Sequence, residues 1–372
     1  MMLDPLALTQ ALVAQKSINP PGDEAPIAQY LKGILEPAGF SCQVVTLGEN
    51  RASLVARFGA GNKPALCLTG HMDTVPLGQA PWSRDPFGGQ VEGDRLYGRG
   101  TSDMKGGLAV MVCSVVEAIK RHPQLELVLV ITSDEEVGCQ GAKLLWEQGH
   151  LDQKVGAILV CEPTGNLPDL GHKGSLWLEA ICRGVTAHGS TPELGVNAVY
   201  LAAQKILVAK DLDLGPERHE LYGRPTLNVG SFKGGLNINS VPDKASFTLD
   251  IRTLPSMSHQ AVKDWVQQAL GPEVELRWII DAEAVEVDPK DPWIEECLGL
   301  LQARNQEPVP QRGGVYVTDA SVLWRAYDRP PVMVLGPGDF SEAHKTDESC
   351  SVSKLYEAQE IYLEILERWA RR

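Results

Sequence analysis

Five residues whose side chains can bind a metal ion lie in short segments spread along the chain, namely His71, Asp103, Glu136, Glu162 and His344. The apolar run 65–68 precedes His71, the run 125–132 precedes Glu136, and the run 155–160 precedes Glu162. Because open α/β folds gather functional groups where the carboxyl ends of their strands meet, these side chains should converge at one sheet edge. The pattern predicts an enzyme with a carboxylate-rich metal site.

Strand-like and helix-like segments alternate through the first part of the chain. Strands are predicted at 41–47, 53–58 and 65–69, and the range 104–122 has its apolar residues at helical spacing. This alternation is typical of an α/β fold, a mostly parallel sheet with helices on both faces. We therefore expect a catalytic domain whose first part spans 1–174.

A different order begins near residue 175. Strands are predicted at 175–183, 226–232, 245–252 and 274–280, with helices at 195–209 and 258–270. The order β-α-β-β-α-β defines a ferredoxin-like unit. The sequence thus predicts a domain over 175–285 inserted into a larger one that resumes at 286–372.

Composition narrows the range of partners. A chain of 372 residues with 43% hydrophobic residues is long enough for two domains. The net charge of -14 argues against nucleic acid or an anionic membrane as the main partner. The N-terminus lacks the pattern of a signal peptide, and no run approaches the ~18 apolar residues of a membrane span. The eight cysteines form no CxxC pair, which favours buried, reduced thiols in a cytoplasmic protein.

Six motifs in order resemble the M20 family of dinuclear zinc metallopeptidases and deacylases. They are His71-Met-Asp73-Thr-Val-Pro, Gly98-Arg-Gly-Thr-Ser-Asp103-Met-Lys-Gly-Gly, Asp134-Glu135-Glu136-Val-Gly, Cys161-Glu162-Pro-Thr, Ala187-His188-Gly-Ser and Gly336-Pro-Gly through His344. Each motif is weak alone, but six in this order are specific. The resemblance runs from Asn19-Pro-Pro-Gly to the last helix, and within the family it is closest to the acetylornithine deacetylases.

The resemblance implies two zinc ions, for which cobalt can substitute. One ion would be held by His71 and Glu162, the other by Glu136 and His344, with Asp103 as the bridge. Amide hydrolysis needs a water that is nucleophilic at neutral pH, and two ions ~3.5 to 4 Å apart lower its pKa towards ~7. The family also implies a cis peptide bond between Asp103 and Met104.

Glu135 is expected to be the general base. Adjacent side chains at a strand end point in different directions, so Glu136 can bind metal while Glu135 faces the cleft and transfers protons. Asp73 is expected to fix the His71 tautomer through the second ring nitrogen. A turn-capping role before Pro76 is the alternative for Asp73.

The resemblance assigns further residues to the substrate. His188 would stabilise the oxyanion, usually in the partner subunit's site. Arg252 and Asn239 would contact the substrate, and the backbone at Gly336 and Gly338 could donate N–H groups to its carboxylate. A surface salt bridge is the alternative for Arg252, and His172 is either loop filler or a substrate contact. Ordinary structural roles are expected for His122, His150, His219 and His259.

These features predict a homodimeric hydrolase of N-acyl-L-amino acids, with the inserted domain as lid and dimerisation domain. Acetylornithine deacetylation in arginine biosynthesis is the leading hypothesis. The alternatives are desuccinylation of N-succinyl-diaminopimelate and a carboxypeptidase or dipeptidase activity. His172-Lys173 stands where the desuccinylase typically has paired arginines, which counts against it. A non-catalytic metal-binding relative would have lost its base, whereas Glu135 is present.

Overall fold

The computed structural model describes residues 3–215, 217–305 and 308–372 and contains two compact units. The larger unit comprises the described residues up to Gly171, together with those of Glu286–Arg312 and Thr318–Arg372. The smaller unit comprises His172–Val285 and the segment Gly313–Val317. The sequence placed the insertion at 175–285 and gave no sign that 313–317 joins it, because so short a segment has no periodicity of its own.

An eight-stranded sheet has most of its strands in the larger unit. Its strands are β1 (Ser41–Gly48), β2 (Arg51–Phe58), β3 (Ala65–His71), β6 (Leu127–Thr132), β7 (Val155–Val160), β8 (Asp169–His172), β13 (Arg312–Gly314) and β14 (Val332–Val334). The order is β1-β2-β6-β3-β7-β14-β8-β13, and the pairs β6–β3, β3–β7 and β7–β14 are parallel. The strands β3 and β6 are buried along their full length, as expected for parallel strands covered on both faces.

A three-stranded antiparallel sheet lies in the same unit. It consists of β4 (Gln90–Glu92), β5 (Arg95–Tyr97) and β15 (Ser349–Ser351), in the order β15-β5-β4. Strands this short carry too little alternation of polar and apolar residues to be recognised in a sequence.

Helices pack around the main sheet. They are α1 (Pro5–Val13), α2 (Ala25–Ala38), α3 (Lys105–Arg121), α4 (Gln140–Glu147), α7 (Pro292–Arg304), α8 (Ala320–Ala326) and α9 (Val352–Trp369), with a 3₁₀ turn at Phe340–Glu342. Asp4 caps α1 by accepting a hydrogen bond from the Leu6 amide at 3.0 Å, and Pro5 takes the first helical position. Helix α3 is buried almost throughout and contacts α1, α9 and β3.

The smaller unit has the predicted β-α-β-β-α-β order. Its elements are β9 (Gly174–Arg183), α5 (Ala198–Lys210), β10 (Thr226–Gly234), β11 (Lys244–Thr253), α6 (His259–Leu270) and β12 (Glu275–Ala282), with a 3₁₀ turn at Pro192–Leu194. The antiparallel sheet has the order β10-β11-β9-β12. Alternate residues such as Leu176, Phe247 and Ile251 form its core with α5 and α6. The predicted α/β fold with an inserted ferredoxin-like unit is therefore confirmed.

Helix α5 begins later than the predicted residue 195. Val196 pairs with Val185 in a β-bridge, and Asn197 then caps the helix by accepting hydrogen bonds from the amides of Val199 and Tyr200. The bridge holds Val196 in an extended conformation, so the helix cannot start before it.

None of the helices in the described ranges is long and apolar enough to cross a membrane. Cys42 is partly exposed, whereas the other cysteines are buried. The predicted burial of most thiols thus holds, and it places them away from reagents in solution.

Candidate metal centre

The ends of three parallel strands deliver the predicted ligands to one edge of the sheet. Strand β3 ends at His71, whose register partner on β6 is Thr132, and Thr69 on β3 pairs with Val160 on β7. Glu135 and Glu136 follow the end of β6, and Glu162 follows the end of β7. The convergence expected from the sequence is therefore produced by parallel pairing in register.

Asp103 joins two clusters of predicted ligands. Its Oδ1 lies 3.1 Å from His71 Nε2, and its Oδ2 lies 3.3 Å from His344 Nε2. His71 Nε2 is also 3.6 Å from Glu162 Oε1, and His344 Nε2 is 3.2 Å from Glu136 Oε2. Each imidazole thus faces one oxygen of a shared carboxylate and one glutamate of its own. The Asp103–Met104 peptide bond is cis, as the resemblance implied.

Glu135 lies at the edge of the same cluster. Ligand-capable atoms of His71, Glu135 and Glu162 lie within 4.8 Å of one another, and those of His71, Asp103 and Glu136 do so as well. The two adjacent glutamates therefore reach different parts of the cluster. At this distance a carboxylate can either bind a metal ion or exchange protons with a molecule held beside one.

Hydrogen bonding around His71 shows that the cluster fits a cation. Its Nδ1 is 2.9 Å from the main-chain oxygen of Asp73, which can only accept, so Nδ1 carries a proton. The other ring nitrogen, Nε2, faces Asp103 Oδ1 at 3.1 Å, an arrangement that needs a proton or metal ion between the two atoms. Although burial acts in the opposite direction, Glu162 and Asp103 raise the pKa of His71 well above its usual value. Within the described residues, no donor forms a hydrogen bond to the buried Glu136 Oε1. A metal ion bound to this oxygen would supply the missing partner. Imidazole and carboxylate ligands suit zinc and similar divalent ions.

The electrostatics of the cluster are dominated by burial and by repulsion between carboxylates. Burial and nearby carboxylates raise the pKa of Glu135 and of Glu162 well above the usual value, and burial with Asp103 raises that of Glu136 to about 7. Burial opposes ionisation of Asp103 too, but hydrogen bonds from His344 and His71 lower its pKa. Hydrogen bonds to Asp103 and Glu136 raise the pKa of His344 to about 10. Binding of a cation would therefore release protons from the glutamates and from His344.

Asp73 contacts the second ring nitrogen of His71 through its main-chain oxygen. The imidazole bonds to the Asp73 main chain, while the carboxylate Oδ1 is 3.6 Å from Nδ1. The carboxylate instead accepts hydrogen bonds from the amides of Glu135 and Glu136, each at 3.2 Å, and from Asn19 Nδ2 at 2.9 Å. Asp73 consequently orients both the His71 ring and the segment that carries Glu135 and Glu136.

A polar network missed by the sequence analysis supports the Glu135–Glu136 segment from behind. Asn19 Nδ2 donates to Asp134 Oδ1 at 2.8 Å as well as to Asp73. Arg51 Nη2 donates to the same Asp134 oxygen at 2.8 Å and to Glu24 Oε1 at 2.9 Å. The network fixes Asp134, whose φ of 64° is rare for a residue other than glycine. The Asn19-Pro-Pro-Gly motif was the only sequence signal for it.

Asp319 is a second residue that the sequence analysis missed. It is buried, accepts a hydrogen bond from the Thr132 hydroxyl, and interacts electrostatically with Glu135. Burial raises its pKa to about 6. Thr318-Asp319 before α8 has the form of an ordinary helix cap, but the Asp319 side chain makes no capping bond. A local pattern could not separate these two roles.

Gly336 and Gly338, whose amides were predicted to contact the substrate, lie close against other backbone segments. The Gly336 N–H donates to Thr164 Oγ1 at 3.1 Å, so it is already used within the protein. A Cβ at Gly336 would lie 2.4 Å from the Cys161 carbonyl oxygen, and one at Gly338 would lie 2.2 Å from that of Ser102. Both residues are buried. They are glycines because the backbone passes against segments that carry Glu162 and Asp103.

His188 and Asn239 lie side by side in the smaller unit. His188 forms a β-bridge with Ser240, and the Gly189 amide donates to the Asn239 carbonyl at 2.8 Å. The Ser190 amide donates to His188 Nδ1 at 3.2 Å, so the neutral ring carries its proton on Nε2. The exposed His188 is thereby prepared to donate a hydrogen bond.

Arg252 and His172, also in the smaller unit, have defined partners. Arg252 forms a two-point ion pair with Asp250, with Nε 2.8 Å from Oδ1 and Nη2 3.1 Å from Oδ2. The salt bridge left open as an alternative is therefore present. His172 is buried beside its partner, the Lys173 carbonyl, and burial lowers its pKa to about 4, so the ring is neutral.

Comparison with known proteins identifies the class to which this fold and site belong. The profile of Peptidase family M20/M25/M40 matches residues 67–368. A probable succinyl-diaminopimelate desuccinylase of Staphylococcus epidermidis is 29% identical, with 94% of each chain covered. An acetylornithine deacetylase of Vibrio campbellii is 30% identical, with 93% of each chain covered. An M20 family metallo-carboxypeptidase from Sulfolobus solfataricus has the same fold, with a TM-score of 0.84, 19% identity and complete coverage of both chains.

The chain therefore belongs to peptidase family M20/M25/M40 and is a metal-dependent amidohydrolase. The family match spans the segments that carry every ligand candidate from His71 to His344.

Proposed function

We propose that the protein removes the acyl group from an N-acyl-L-amino acid, with acetylornithine deacetylation as the leading reaction. The observation that carries the proposal is the Asp103 carboxylate, shared between a His71–Glu162 pair and a His344–Glu136 pair with Glu135 alongside. The two relatives named above both carry names of enzymes that remove an acyl group. Succinyl-diaminopimelate desuccinylation is the second candidate for that reason.

The proposed ligand set uses the two pairs directly. His71 and Glu162 would hold one ion, Glu136 and His344 the other, and Asp103 both. Two divalent ions, zinc in our proposal with cobalt able to replace it, would supply a water of lowered pKa and a polarised carbonyl. Asp73 keeps the Nε2 of His71 free for coordination, because its main-chain oxygen holds the proton on Nδ1.

Glu135 performs the proton transfers in this proposal. It takes a proton from the attacking water and returns it to the leaving amine, so it must be basic enough to accept the first and acidic enough to deliver the second. Burial raises its pKa from the ordinary carboxylate range, in the direction that favours this shuttle. Asp73 fixes its main chain by accepting the Glu135 amide.

Oxyanion stabilisation is assigned to His188 of a second subunit, with Asn239 beside it. The Nε2 proton of His188 suits this role. Support for a homodimer comes from apolar side chains on the smaller unit, where Tyr200 and Leu207 of α5 are 69% and 60% exposed and β10 is an edge strand. Pairing such a patch with its own copy would cover both the strand edge and the apolar residues.

Hybrid dimers test this assignment. The variants His188→Ala and Glu135→Ala are each expected to be inactive, but a mixture should regain roughly a quarter of wild-type activity, since half the dimers are hybrid and each has one complete site. Activity is measured after subunit exchange verified by mass spectrometry. Exchange without recovery would mean that His188 serves its own subunit or no site.

Substrate contact is assigned to Arg252, with its guanidinium directed at the substrate carboxylate. Nη2 donates a hydrogen bond to Asp250 Oδ2 and Nε lies in ion-pair contact with Oδ1, so the substrate would use the guanidinium donors that face away from Asp250. We place the reaction in the cytoplasm and in arginine biosynthesis. The first rests on buried thiols, typical of a reducing compartment, and the second on the leading substrate.

A substrate panel decides between the candidates. Zinc- and cobalt-loaded protein is assayed with N-acetyl, N-succinyl and N-formyl amino acids, with dipeptides, and with N-acetylornithine amide as the control lacking a carboxylate. We expect N-acetylornithine to give the highest kcat/KM, and the amide to lose roughly ten- to hundred-fold, the value of one charge-assisted hydrogen bond. A preference for N-succinyl-diaminopimelate would support the second candidate, and a preference for dipeptides would contradict both.

A further inference from the structure

A buried carboxylate outside the proposed ligand set holds the loop that carries Asp103. Glu348 is fully buried, and its Oε1 accepts hydrogen bonds from the amides of Ser102 at 2.8 Å and Asp103 at 3.0 Å. Its Oε2 accepts from the Gly100 amide at 2.9 Å and from Arg99 Nη1 at 2.6 Å. Both oxygens of one side chain are therefore saturated by donors from a single loop.

The loop forms a concave nest of backbone amides. Backbone N–H groups that point inward make a binding site for an anion, and here the amides of Gly100, Ser102 and Asp103 bind the protein's own side chain. The neighbouring strands fix the approach, because β15 pairs with β5 through Ser349 and Tyr97, and the Gly98 amide donates to the Glu348 carbonyl at 2.9 Å. The nest is thus closed by a residue from a segment far away in sequence.

Glu348 also follows closely on His344. The segment His344-Lys-Thr-Asp-Glu348 places a ligand candidate at one end and the carboxylate that holds the Asp103 loop at the other. The two segments meet again at the site, where His344 Nε2 is 3.3 Å from Asp103 Oδ2. One short piece of chain therefore positions both members of this contact.

We infer that Glu348 is a positioning residue for the metal centre, which sets Asp103 so that its two oxygens face the two imidazoles. The inference rests on the proposed function, because it assigns Asp103 as the shared ligand. The hydrogen bond from the Asp103 amide to Glu348 fixes the Asp103 main chain. The hydrogen bond from the Ser102 amide restrains the residue that precedes Asp103. Ligands held in place before the ion arrives bind it more tightly, because less conformational freedom is lost on binding.

A purely structural role is the competing explanation. Glu348 and Arg99 form a buried ion pair, and removing either partner leaves an uncompensated charge that destabilises the fold. In that case substitution of Glu348 and substitution of Arg99 should have the same effects on stability and on metal binding. Positioning predicts that the two substitutions differ in effect, because Oε1 accepts from the amides of Ser102 and Asp103, whereas the Arg99 guanidinium donates to Oε2 and to the Pro76 carbonyl.

The experiment compares Glu348→Gln with Arg99→Met in the full-length protein. Glutamine has nearly the same shape, but its amide nitrogen cannot accept, so two of the four donors lose their partner. Cobalt(II) is titrated into the metal-free proteins against a chelator, the visible absorption of bound cobalt is recorded, and thermal unfolding is measured. We expect Glu348→Gln to bind cobalt at least tenfold more weakly with an altered spectrum. Arg99→Met should lose stability but keep the wild-type affinity and spectrum.

Glu348→Asp provides a second test should the glutamine variant not fold. Aspartate keeps the charge but is one methylene shorter, so it cannot reach all four donors, and cobalt affinity should fall again. The inference is overturned if a folded Glu348 variant binds cobalt like wild type, or if Arg99→Met changes affinity and spectrum equally. Wild-type protein that binds no cobalt would instead refute the proposed metal centre itself, so the two failures are distinguishable.

Discussion

Glu135→Gln should abolish nearly all turnover while leaving two metal ions bound. Glutamine keeps the volume of the side chain but cannot take a proton from water, and positioned acid–base groups contribute on the order of 10² to 10⁴ in rate. The main chain stays anchored, because the Glu135 amide still donates to Asp73. The loss should appear in kcat with little change in KM, since the residue acts on the transition state rather than on substrate binding.

Metal content decides whether Glu135 acts as base or ligand. Its carboxylate lies within 4.8 Å of ligand atoms on His71 and Glu162, so geometry alone permits either role. Metal analysis by mass spectrometry and steady-state kinetics are performed on the same preparations, with Glu147→Gln as control because Glu147 is exposed at the end of α4. Loss of an ion together with activity would make Glu135 a ligand and leave the base unassigned.

Local patterns in the sequence predicted the parts of the site that are set by single strands. An apolar run that ends in a polar residue marks a strand end, and parallel strands bring their ends together. His71, Glu136 and Glu162 could be placed together on that basis before any contact was known. The ferredoxin-like unit was predictable for the same reason, since its strands are long enough to show alternation.

Contacts between distant segments could not be predicted in this way. Asn19 and Asp134 are 115 residues apart, and Asp103 and Glu348 are 245 residues apart. The residue pattern of one segment contains no information about which distant segment it will contact. A buried asparagine or glutamate therefore has the same local pattern whether it holds an active-site loop or caps a turn. Such residues follow from tertiary structure alone.

The remaining differences between the predicted and the observed contacts arise because groups in the fold already have other hydrogen-bond partners. Gly336 was predicted to donate to a substrate, but Thr164 accepts its N–H. Asp73 was predicted to fix the His71 tautomer, and its main-chain oxygen does so, while its carboxylate accepts hydrogen bonds from three other donors. In both cases the residue was predicted in the right region. Its hydrogen-bond partner depends on competition among nearby donors and acceptors, and the sequence does not show which of them is bound.

Asp103 should be the residue whose loss affects metal binding most. Its two oxygens face different imidazoles, so Asp103→Ala removes a ligand from both clusters at once, leaving His71 and His344 without their shared partner. We expect metal affinity to fall by more than ~100-fold, beyond the range seen when an outer contact of a ligand is removed. Both activity and the stabilisation of folding by added metal should be lost, because a ligand stabilises only in proportion to its binding.

Asp103→Asn separates a bridging ligand from one that serves a single ion. Asparagine keeps one oxygen and replaces the other by an amide nitrogen that cannot coordinate, so one cluster retains a complete set of donors and the other does not. Metal titration should then give one tightly bound ion for Asp103→Asn, two for wild type and none for Asp103→Ala. An asparagine variant that keeps two tightly held ions would contradict the bridge. In that case the Asp103 oxygens would serve as hydrogen-bond acceptors for His71 and His344, and the Glu348 loop would have to be explained without a metal ligand to position.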